Sequence, residues 1–341
     1  MANIEDVAKL SGVSVGTVSN VLNNPDKVKL ETRERVLEII KDLNFYPNLS
    51  AQNLSRLKTD TIGLIFPFSK RKRIESYYTG LLAGITEVCF HMNMKLMVSS
   101  YPSDVTENEI VFNYRKIIES KAVDGLIVTV PKYNDCRIRL LNETDQKFAI
   151  FGRTDLTTDA PWVDIDGNYG VNEAVKYLAN LGHTRIGYIG TASAFIFSKD
   201  RLEGYKQGLK RAGLSFNPEL VMERTLDREE IETGEEYALK LLSLDSPPKA
   251  IIVSGSQLTL GAIHGINRFG YSVGEDISLI CFDDDEWNVR FNPPITSIRQ
   301  PLYEVGKIVA EVLIKKIRGI DCNDHTLLKP ELIIRESCRK P

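Results

Sequence analysis

The chain has 341 residues, of which 43% are hydrophobic and 26% are charged, and its formal net charge is -3. This length excludes one ordinary small domain and suits two or three, and the composition is that of a globular protein with ample material for a core. The net charge indicates no particular partner. It does not exclude DNA, because a small DNA-reading domain can be masked by a larger acidic one.

Cysteine and histidine usage argues against a disulfide framework and against a metal site. The five cysteines are scattered without a C-x-x-C pair, and the four histidines are isolated. We therefore expect free thiols, no metal and no other cofactor. The first six residues lack the basic and apolar regions of a signal peptide, and no apolar run is long enough to span a membrane, so we expect a cytoplasmic protein.

The first 45 residues contain three short helical patterns. They predict helices from Ile4 to Leu10, from Val15 to Leu22 and from Leu30 to Leu43. Asn3 can cap the first helix with Asp6 three residues later, and Gly12 lies in the turn before the second helix. In the third helix we expect one shared apolar face, made by Val36, Leu37, Ile40 and Leu43. Two helices joined by a glycine-containing turn are typical of a helix-turn-helix.

The second helix has an inward and an outward face. Its inward positions are Val18, Val21 and Leu22, and its outward positions are Val15, Gly16, Ser19 and Asn20. A recognition helix presents such N-terminal outward residues to base edges in the major groove. The alternative is a plain three-helix bundle with a solvated face. Gly16 argues against that alternative, because glycine inside a helix costs about 1 kcal/mol relative to alanine and needs a reason.

A short linker follows this bundle. Pro47 interrupts the chain and Asn48 can cap a helix of only about two turns, up to Ser55. A helix this short is marginal in water, so we expect it to form only when another contact stabilises it. We predict a DNA-binding headpiece over residues 1–46, a hinge or linker over residues 47–59 and a core over residues 60–341.

From Thr61 onward, short β-branched runs alternate with helix-length stretches, which predicts parallel α/β sheets. The predicted strands are Thr61–Phe66, Lys95–Ser99, Asp124–Val130, Phe148–Phe151, Val163–Asp166, Arg185–Gly190, Ala250–Ser254, Ile277–Phe282 and Ile295–Arg299. Nine strands in this length suggest two doubly wound lobes with a ligand site in the crevice at the carboxyl ends of the strands. We expect an N-lobe of about residues 60–160 and 292–320, and a C-lobe of about residues 161–291 and 321–341.

The whole chain resembles the LacI/GalR family of transcriptional regulators. In the headpiece the resemblance lies in Ile4-Glu5-Asp6-Val7-Ala8, Gly12-Val13-Ser14, Thr17 to Asn23, Thr32 to Val36 and Tyr46-Pro47-Asn48 with Ala51 and Leu54. In the core it lies in Asp124 to Ile127, Asp164-Ile165-Asp166, Leu181-Gly182-His183, Arg201 with Gly204-Tyr205, Phe282-Asp283-Asp284 and Thr296 to Pro301. The resemblance implies an all-α helix-turn-helix headpiece and an α/β two-lobed periplasmic-binding-protein-like core with two doubly wound parallel sheets.

The resemblance also implies roles for residues that would contact DNA. Val15, Gly16 and Asn20 fall where the family reads bases, and Ser14, Thr17, Ser19, Asn23 and Thr32 fall where it touches phosphates. Asn48 falls at the start of the family's hinge helix, and Leu54 falls on its lever leucine, an apolar wedge for the minor groove. The alternative for Leu54 is packing of the linker onto the core. Two copies of the headpiece imply a homodimer and an approximately palindromic operator.

For the effector, the resemblance implies a small molecule, and a carbohydrate above all. Arg201 matches the family arginine that clamps the effector, and Asp283 matches an acidic acceptor at a strand end, with only Asp283 of the acidic run Asp283–Glu286 turned inward. Further candidates for the cleft are Tyr77, Arg153, Phe197 and Ser256. For Tyr77 and Phe197 core packing is the alternative.

Two departures from the family leave the effector open. Gly255-Ser256 stand where many sugar-binding members carry Asn-Asp. The basic run Lys70–Arg73 lies where neutral residues are usual, which suggests either a solvated loop or the attraction of an anionic effector such as a sugar phosphate.

Three other functions compete with a regulator that its effector releases from DNA. An enzyme is disfavoured because the sequence has no G-x-S-x-G, P-loop or G-x-G-x-x-G motif and no histidine matched to a nucleophile. An exported sugar-binding protein is disfavoured by the headpiece pattern. A corepressor-type regulator, which binds DNA better with its ligand and responds to a non-sugar, stays open.

Overall fold

The computed structural model describes residues 2–23, 25–45, 58–68, 76–320 and 324–341, with the backbone alone for residues 23, 76 and 77. These residues divide into two compact units, Met1–Thr59 and Asp60–Pro341. Each unit has a hydrophobic core of its own.

The first unit contains the three predicted helices, α1 (Ile4–Ser11), α2 (Val15–Asn23) and α3 (Leu30–Asp42), which confirms their bounds to within one residue. The Asn3 side chain accepts hydrogen bonds from the first turn of α1, and the Asn3 backbone donates one to the Asp6 side chain, so the predicted cap is present. Gly12 ends α1 at a φ of 67°, a conformation that favours glycine.

The core of this unit forms around three fully buried valines, Val7, Val18 and Val36. The predicted apolar face of α3 was wrong at Leu37, which is 42% exposed. Ile40 and Leu43 pack against the core as predicted, and Ile39 packs there in place of Leu37. Successive helix positions differ by about 100°, so Leu37 turns away from the face that Val36 occupies.

The described part of the second unit contains two six-stranded sheets, each with helices on both faces. Sheet one has the strand order β11-β5-β4-β3-β1-β2, and sheet two has the order β12-β10-β9-β8-β6-β7. The strands of sheet one are β1 (Thr61–Phe68), β2 (Lys95–Pro102), β3 (Gly125–Thr129), β4 (Lys147–Phe151), β5 (Trp162–Ile165) and β11 (His325–Leu328). Those of sheet two are β6 (Ile186–Gly190), β7 (Val221–Glu223), β8 (Ala250–Val253), β9 (Ser278–Phe282), β10 (Thr296–Arg299) and β12 (Glu331–Ile333).

All neighbouring strands are parallel except β12, which runs antiparallel to β10. In each sheet the second strand lies outside the first and the third lies inside it, so the strand order reverses next to the first strand. Ligands bind beside such a switch point at the carboxyl ends of the strands.

Helices cover both faces of each sheet. Lobe one is sheet one with α4 (Ser76–His91) and α12 (Leu302–Ile317) on one face, and α5 (Glu107–Glu119) and α6 (Cys136–Asn142) on the other. Lobe two is sheet two with α9 (Glu230–Leu242) and α10 (Ser256–Arg268) on one face, and α7 (Gly167–Leu181) and α8 (Ile196–Arg211) on the other. The short helix α11 (Glu286–Arg290) follows β9.

The predicted lobe boundaries were wrong at three strands. β5 and β11 belong to sheet one, although residues 161–291 and 321–341 were assigned to the C-lobe, and β10 belongs to sheet two, although residues 292–320 were assigned to the N-lobe. The chain passes between the sheets directly after each of these strands. Buried strands of both sheets have the same apolar pattern, so the pattern alone does not say to which sheet a strand belongs.

Three strands were absent from the predicted set, namely β7, β11 and β12, each of three or four residues. They lie at sheet edges, where one or two alternations of polarity give no periodic signal. Four cysteines, Cys89, Cys136, Cys281 and Cys338, are buried free thiols, and Cys322 lies outside the described residues. None of the helices in the described ranges combines the length and the apolar character that crossing a bilayer requires.

Helices α9 and α10 approach each other backbone to backbone. A Cβ atom added at Gly261 of α10 would lie 1.9 Å from the carbonyl oxygen of Ile231 in α9. Real Cβ contacts are never this short, so a side chain here would force the two helices apart.

We therefore expect Gly261→Ala to lower the free energy of unfolding by about 1–3 kcal/mol or more, as overpacking does. The measurement is thermal or urea unfolding of the full chain. The control is Asn267→Ala on the exposed side of the same helix, which should leave stability unchanged or slightly raised. Equal stability of the Gly261→Ala variant and the parent protein would show that α9 and α10 can separate without cost.

Candidate functional site

Residues that end strands in both sheets line one cavity of about 1020 Å³ between the two lobes. Thr129 and Asp164 belong to the last residues of β3 and β5, and Thr191, Ser254 and Asp283 directly follow β6, β8 and β9. The cavity, called the cleft below, therefore lies where the topology predicts a ligand site.

Arg201, on α8, is a firmly held basic residue of the cleft. It is 7% exposed, and its guanidinium carbon lies 3.5 Å from the ring centre of Phe282 and 4.6 Å from that of Phe197. Its Nη1 donates a hydrogen bond of 3.1 Å to the carbonyl oxygen of Ser254. The structure thus brings the two predicted residues Arg201 and Phe197 together, with the planar fork of the arginine fixed in direction before any ligand arrives.

Arg153 connects the two lobes. It follows β4 in lobe one, and its Nε donates to Asp164 Oδ2 at 2.7 Å, while its Nη2 donates to Asp200 on α8 of lobe two. Burial disfavours the charged form of Arg153, but the hydrogen bond to Asp164 and the charges of both aspartates outweigh it and raise the pKa of Arg153. A second connection is backbone to backbone, since Tyr133 N donates to the carbonyl oxygen of Ala194 at 3.0 Å.

The acidic run after β9 differs from its prediction. All three aspartates, Asp283, Asp284 and Asp285, line the cleft, so the expectation that Asp283 alone turns inward was wrong. Asp283 has a φ of 92° and accepts a hydrogen bond from the side chain of Gln300.

Asp284 is a buried ion-pair partner rather than part of a solvated strand end. Its side chain is 4% exposed and lies 2.7 Å from a guanidinium nitrogen of Arg335 and 2.7 Å from one of Arg299. Burial disfavours its charged form, but the hydrogen bonds from Arg335, Ser297 and Arg299 outweigh it and lower the pKa of Asp284. Arg335 lies 51 positions away, so no local pattern could indicate this pairing.

Ser256 opens helix α10 at the edge of the cleft. Its hydroxyl donates to Asp285 Oδ2 and accepts a hydrogen bond of 3.2 Å from Trp287 Nε1. The departure at Gly255-Ser256 therefore brings a hydroxyl that already has partners within lobe two.

Several cleft residues were missing from the prediction. The hydroxyls of Thr129 and Thr191 are buried without a hydrogen-bond partner among the described residues. Phe66 and Tyr78 stack with ring centres 4.6 Å apart. The two threonines lie at predicted strand ends, a signal that could have found them, whereas the aromatic pair gave none. The side chain of Tyr77 and the run Lys70–Arg73 lie outside the described residues.

The outer face of α2 is exposed as predicted. Val15, Gly16 and Asn20 are exposed, while Val18 and Val21 are buried. The Ser14 hydroxyl lies 2.9 Å from the Thr17 hydroxyl and accepts a hydrogen bond from the Thr17 backbone, so it caps α2. Ser19 and Thr32 are half-buried. The side chain of Asn23, together with Asn48 and Leu54, lies outside the described residues.

No group of histidine, cysteine, aspartate and glutamate side chains within the described ranges could hold a metal ion. The cleft instead offers fixed arginines, carboxylate acceptors and aromatic faces, a set suited to binding a polar small molecule rather than to a covalent reaction.

Comparison with known proteins places this arrangement in a family. Residues 3–48 match the model of bacterial regulatory proteins of the lacI family, and residues 175–338 match a periplasmic binding protein-like domain. The chain is 30% identical to the HTH-type transcriptional regulator RegA of Clostridium saccharobutylicum over 98% of both chains. It is 32% identical to the HTH-type transcriptional regulator AglR of Rhizobium meliloti, over 98% of this chain and 94% of that one.

Solved structures of similar proteins indicate the same family. The lac repressor dimer bound to operator and the anti-inducer ONPF is 25% identical, covers 98% of each chain and has a TM-score of 0.83. The complex of the transcriptional regulator CelR with cellobiose is 26% identical, covers 99% of this chain and 100% of that one, and has a TM-score of 0.75. The chain therefore belongs to the lacI family of bacterial regulatory proteins, and it is a DNA-binding transcriptional regulator with an effector-binding core rather than an enzyme.

Proposed function

We propose that this protein is a cytoplasmic homodimeric repressor whose affinity for an approximately palindromic operator is set by a sugar or sugar derivative bound in the cleft. The observation that carries the proposal is the cleft itself, in which Arg201 is fixed by two aromatic rings and a carbonyl. The chain pairs this cleft with an exposed helix-turn-helix face.

On the operator, α2 enters the major groove. Val15, Gly16 and Asn20 face base edges, because they are the exposed residues near its start. Ser14, Thr17, Ser19, Asn23 and Thr32 contact phosphates. Hydroxyls and amides can position a protein on the phosphate backbone without carrying charge, which fits the near neutrality of residues 1–58, with eight lysines and arginines against seven aspartates and glutamates.

The linker supplies the second DNA contact. Asn48 starts a hinge helix, and Leu54 inserts into the minor groove at the operator centre. An apolar wedge unstacks a base step at a cost of a few kcal/mol, which extra contact with the bent duplex offsets. Two copies of the wedge require a dimer, and the similar lac repressor binds its operator as a dimer in its solved structure.

In the cleft, Arg201 donates to adjacent hydroxyls of the effector and Asp283 accepts from others. Phe197, and Tyr77 from lobe one, offer aromatic faces to a sugar ring, while Arg153 and Ser256 complete the lining. The similar regulator CelR was solved as a complex with cellobiose, which supports a carbohydrate here.

Coupling between cleft and operator runs through lobe closure. The Arg153–Asp200 ion pair and the bond between Tyr133 and Ala194 join the lobes. A ligand that prefers one arrangement of the lobes shifts the population of conformations, and with it the fraction of protein that can bind operator. A gel-shift titration with ligand gives the sign, because an inducer weakens the operator complex and a corepressor strengthens it.

Substitution of Gly16 tests the approach of α2 to DNA. The nearest atom to a Cβ added at Gly16 is Ser14 Oγ at 3.7 Å, so the free headpiece has room for it. We expect Gly16→Ala to stabilise the headpiece by up to about 1 kcal/mol through helix propensity, yet to weaken operator binding. Thermal unfolding and fluorescence anisotropy with labelled operator measure both effects. The control is Leu10→Ala, an exposed position on α1. Unchanged operator affinity of Gly16→Ala would mean that no close backbone approach occurs there.

Substitution of Leu54 tests the wedge. We expect Leu54→Ala to weaken operator binding at least tenfold, because the kinked duplex loses its apolar support, while the affinity for the effector stays the same. Operator anisotropy and calorimetric titration of the effector measure the two quantities. A parallel loss of both would assign Leu54 to packing on the core instead.

Substitution of Arg201 tests the effector site. We expect Arg201→Lys, which keeps the charge but loses the planar fork, to abolish the ligand response of operator binding. Ligand-free operator affinity should stay close to that of the parent protein if the effector is an inducer. Arg268→Ala, on the exposed surface of α10, is the matched control. An unaltered ligand response of Arg201→Lys would remove this residue from the site.

A further inference from the structure

We propose that the effector is an uncharged oligosaccharide of at least two sugar units, and that the cleft selects against phosphorylated sugars. The inference rests on the proposed function, because it specifies the ligand of the same site.

Several arginines of the cleft already have carboxylate partners. Within the described part of the cleft these ion pairs are Arg137–Asp135, Arg153–Asp164, Arg224–Glu230, Arg228–Glu236 and Arg299–Asp284. The pair Arg137–Asp135 is almost fully buried, at 2.7 Å. A phosphate that binds one of these five arginines would have to displace its carboxylate, which in the Arg137–Asp135 pair would leave a buried charge without compensation.

Further carboxylates line the same cavity. In all, the described residues that line it include ten aspartates and glutamates against seven lysines and arginines. A ligand with negative charge would meet like charge here, whereas hydroxyls can donate hydrogen bonds to carboxylate oxygens. The contacts that orient Arg201 include neutral groups, namely two aromatic rings and the Ser254 carbonyl.

The cleft contains two buried threonine hydroxyls, one in each lobe. Thr129 in lobe one is 1% exposed and Thr191 in lobe two is 9% exposed, and both hydroxyl oxygens lack a hydrogen-bond partner among the described residues. Buried polar groups are nearly always paired, and both threonines line the cleft, so a small rotation of either side chain would let its hydroxyl pair with a ligand atom. A hydroxyl both donates and accepts, which matches a neutral sugar hydroxyl, and a ligand that pairs with both threonines would span the two lobes.

The aromatic residues of the cleft indicate the length of the ligand. Two stacked aromatic pairs line the cleft, Phe66 with Tyr78 in lobe one and Phe195 with Phe197 in lobe two. Phe66 is buried and the ring of Phe197 lies between Phe195 and the Arg201 guanidinium, so Tyr78 and Phe195 are the rings of the two pairs on which a sugar can lie. The cavity of about 1020 Å³ is at the top of the range of roughly 300–1,000 Å³ for small-molecule sites, so it has room for more than one ring.

The test is calorimetric titration of the full-length protein with matched pairs of ligands. The probes are cellobiose, cellotriose, maltose, lactose and sucrose, with the component monosaccharides and the 6-phosphorylated form of whichever sugar binds. We expect one neutral oligosaccharide to bind at least tenfold more tightly than its phosphorylated form and than its monosaccharides. Equal or tighter binding of a phosphorylated sugar or of a monosaccharide would overturn the inference. A preference for phosphate that disappears when Lys70–Arg73 are replaced by serine would overturn it too, and would assign the preference to that run.

Two sets of variants sharpen the test. Thr129→Val and Thr191→Val keep the side-chain shape and remove the hydroxyl, so each should weaken oligosaccharide binding at least fivefold, while Thr326→Val on β11, outside the cleft lining, should not. Glu230→Gln removes the partner of Arg224 and should raise the affinity for the phosphorylated sugar relative to the neutral one. Unchanged affinities in these variants would contradict the proposed contacts.

The inference and the proposed function fail in different ways. A phosphorylated sugar or a monosaccharide that binds best and still alters operator affinity refutes the inference alone. Absence of binding by every carbohydrate, with a response of operator binding to some other compound, refutes both.

Discussion

A charge buried at the cleft destabilises the protein by several kcal/mol unless it meets a partner, and this requirement organises the cleft. Asp284 is held by Arg335 and Arg299, Arg153 by Asp164 and Asp200. Most of these partners come from different strands or helices. The pairs of Asp284 with Arg299 and Arg335, and that of Arg153 with Asp164, hold together the ends of strands within one sheet, whereas the pair of Arg153 with Asp200 joins the two lobes.

The same requirement determines which part of the cleft is adjustable. Asp284 and its arginines lie within lobe two, so their pairing survives any movement of the lobes. Arg153 differs, because one of its carboxylate partners, Asp164, lies in lobe one and the other, Asp200, lies in lobe two. Opening the cleft would separate Arg153 from Asp200 but not from Asp164, so opening breaks one ion pair of Arg153 and leaves the other intact. An interaction of this kind suits a protein whose lobes must respond to a ligand of modest binding energy.

Much of the fold could be predicted from the sequence where a periodic pattern was long enough. The helices of the headpiece and the exposed face of α2 follow from apolar spacing, and the family resemblance indicated Arg201. The predicted burial of Leu37 was wrong because neighbouring residues of a helix point in directions about 100° apart, so an error of one residue decides whether a side chain is buried. The lobe boundaries and the burial of Asp284 depend on partners many residues away, such as Arg335, and no local pattern contains that information. The effector contacts themselves stay predictions, because the spacing of apolar residues predicts helices and strands and does not indicate which ligand binds.

We propose that the effector in the cleft and the operator on the headpiece bind to the same conformational equilibrium, so that each changes the affinity for the other. A complete thermodynamic cycle tests this coupling most directly. The cycle compares operator affinity with and without the tightest-binding oligosaccharide, and oligosaccharide affinity with and without operator DNA. Linkage requires the two ratios to be equal, and couplings of this kind are typically about 5- to 150-fold. Equal and substantial ratios are predicted. An oligosaccharide that binds free and operator-bound protein with the same affinity would contradict the shared equilibrium.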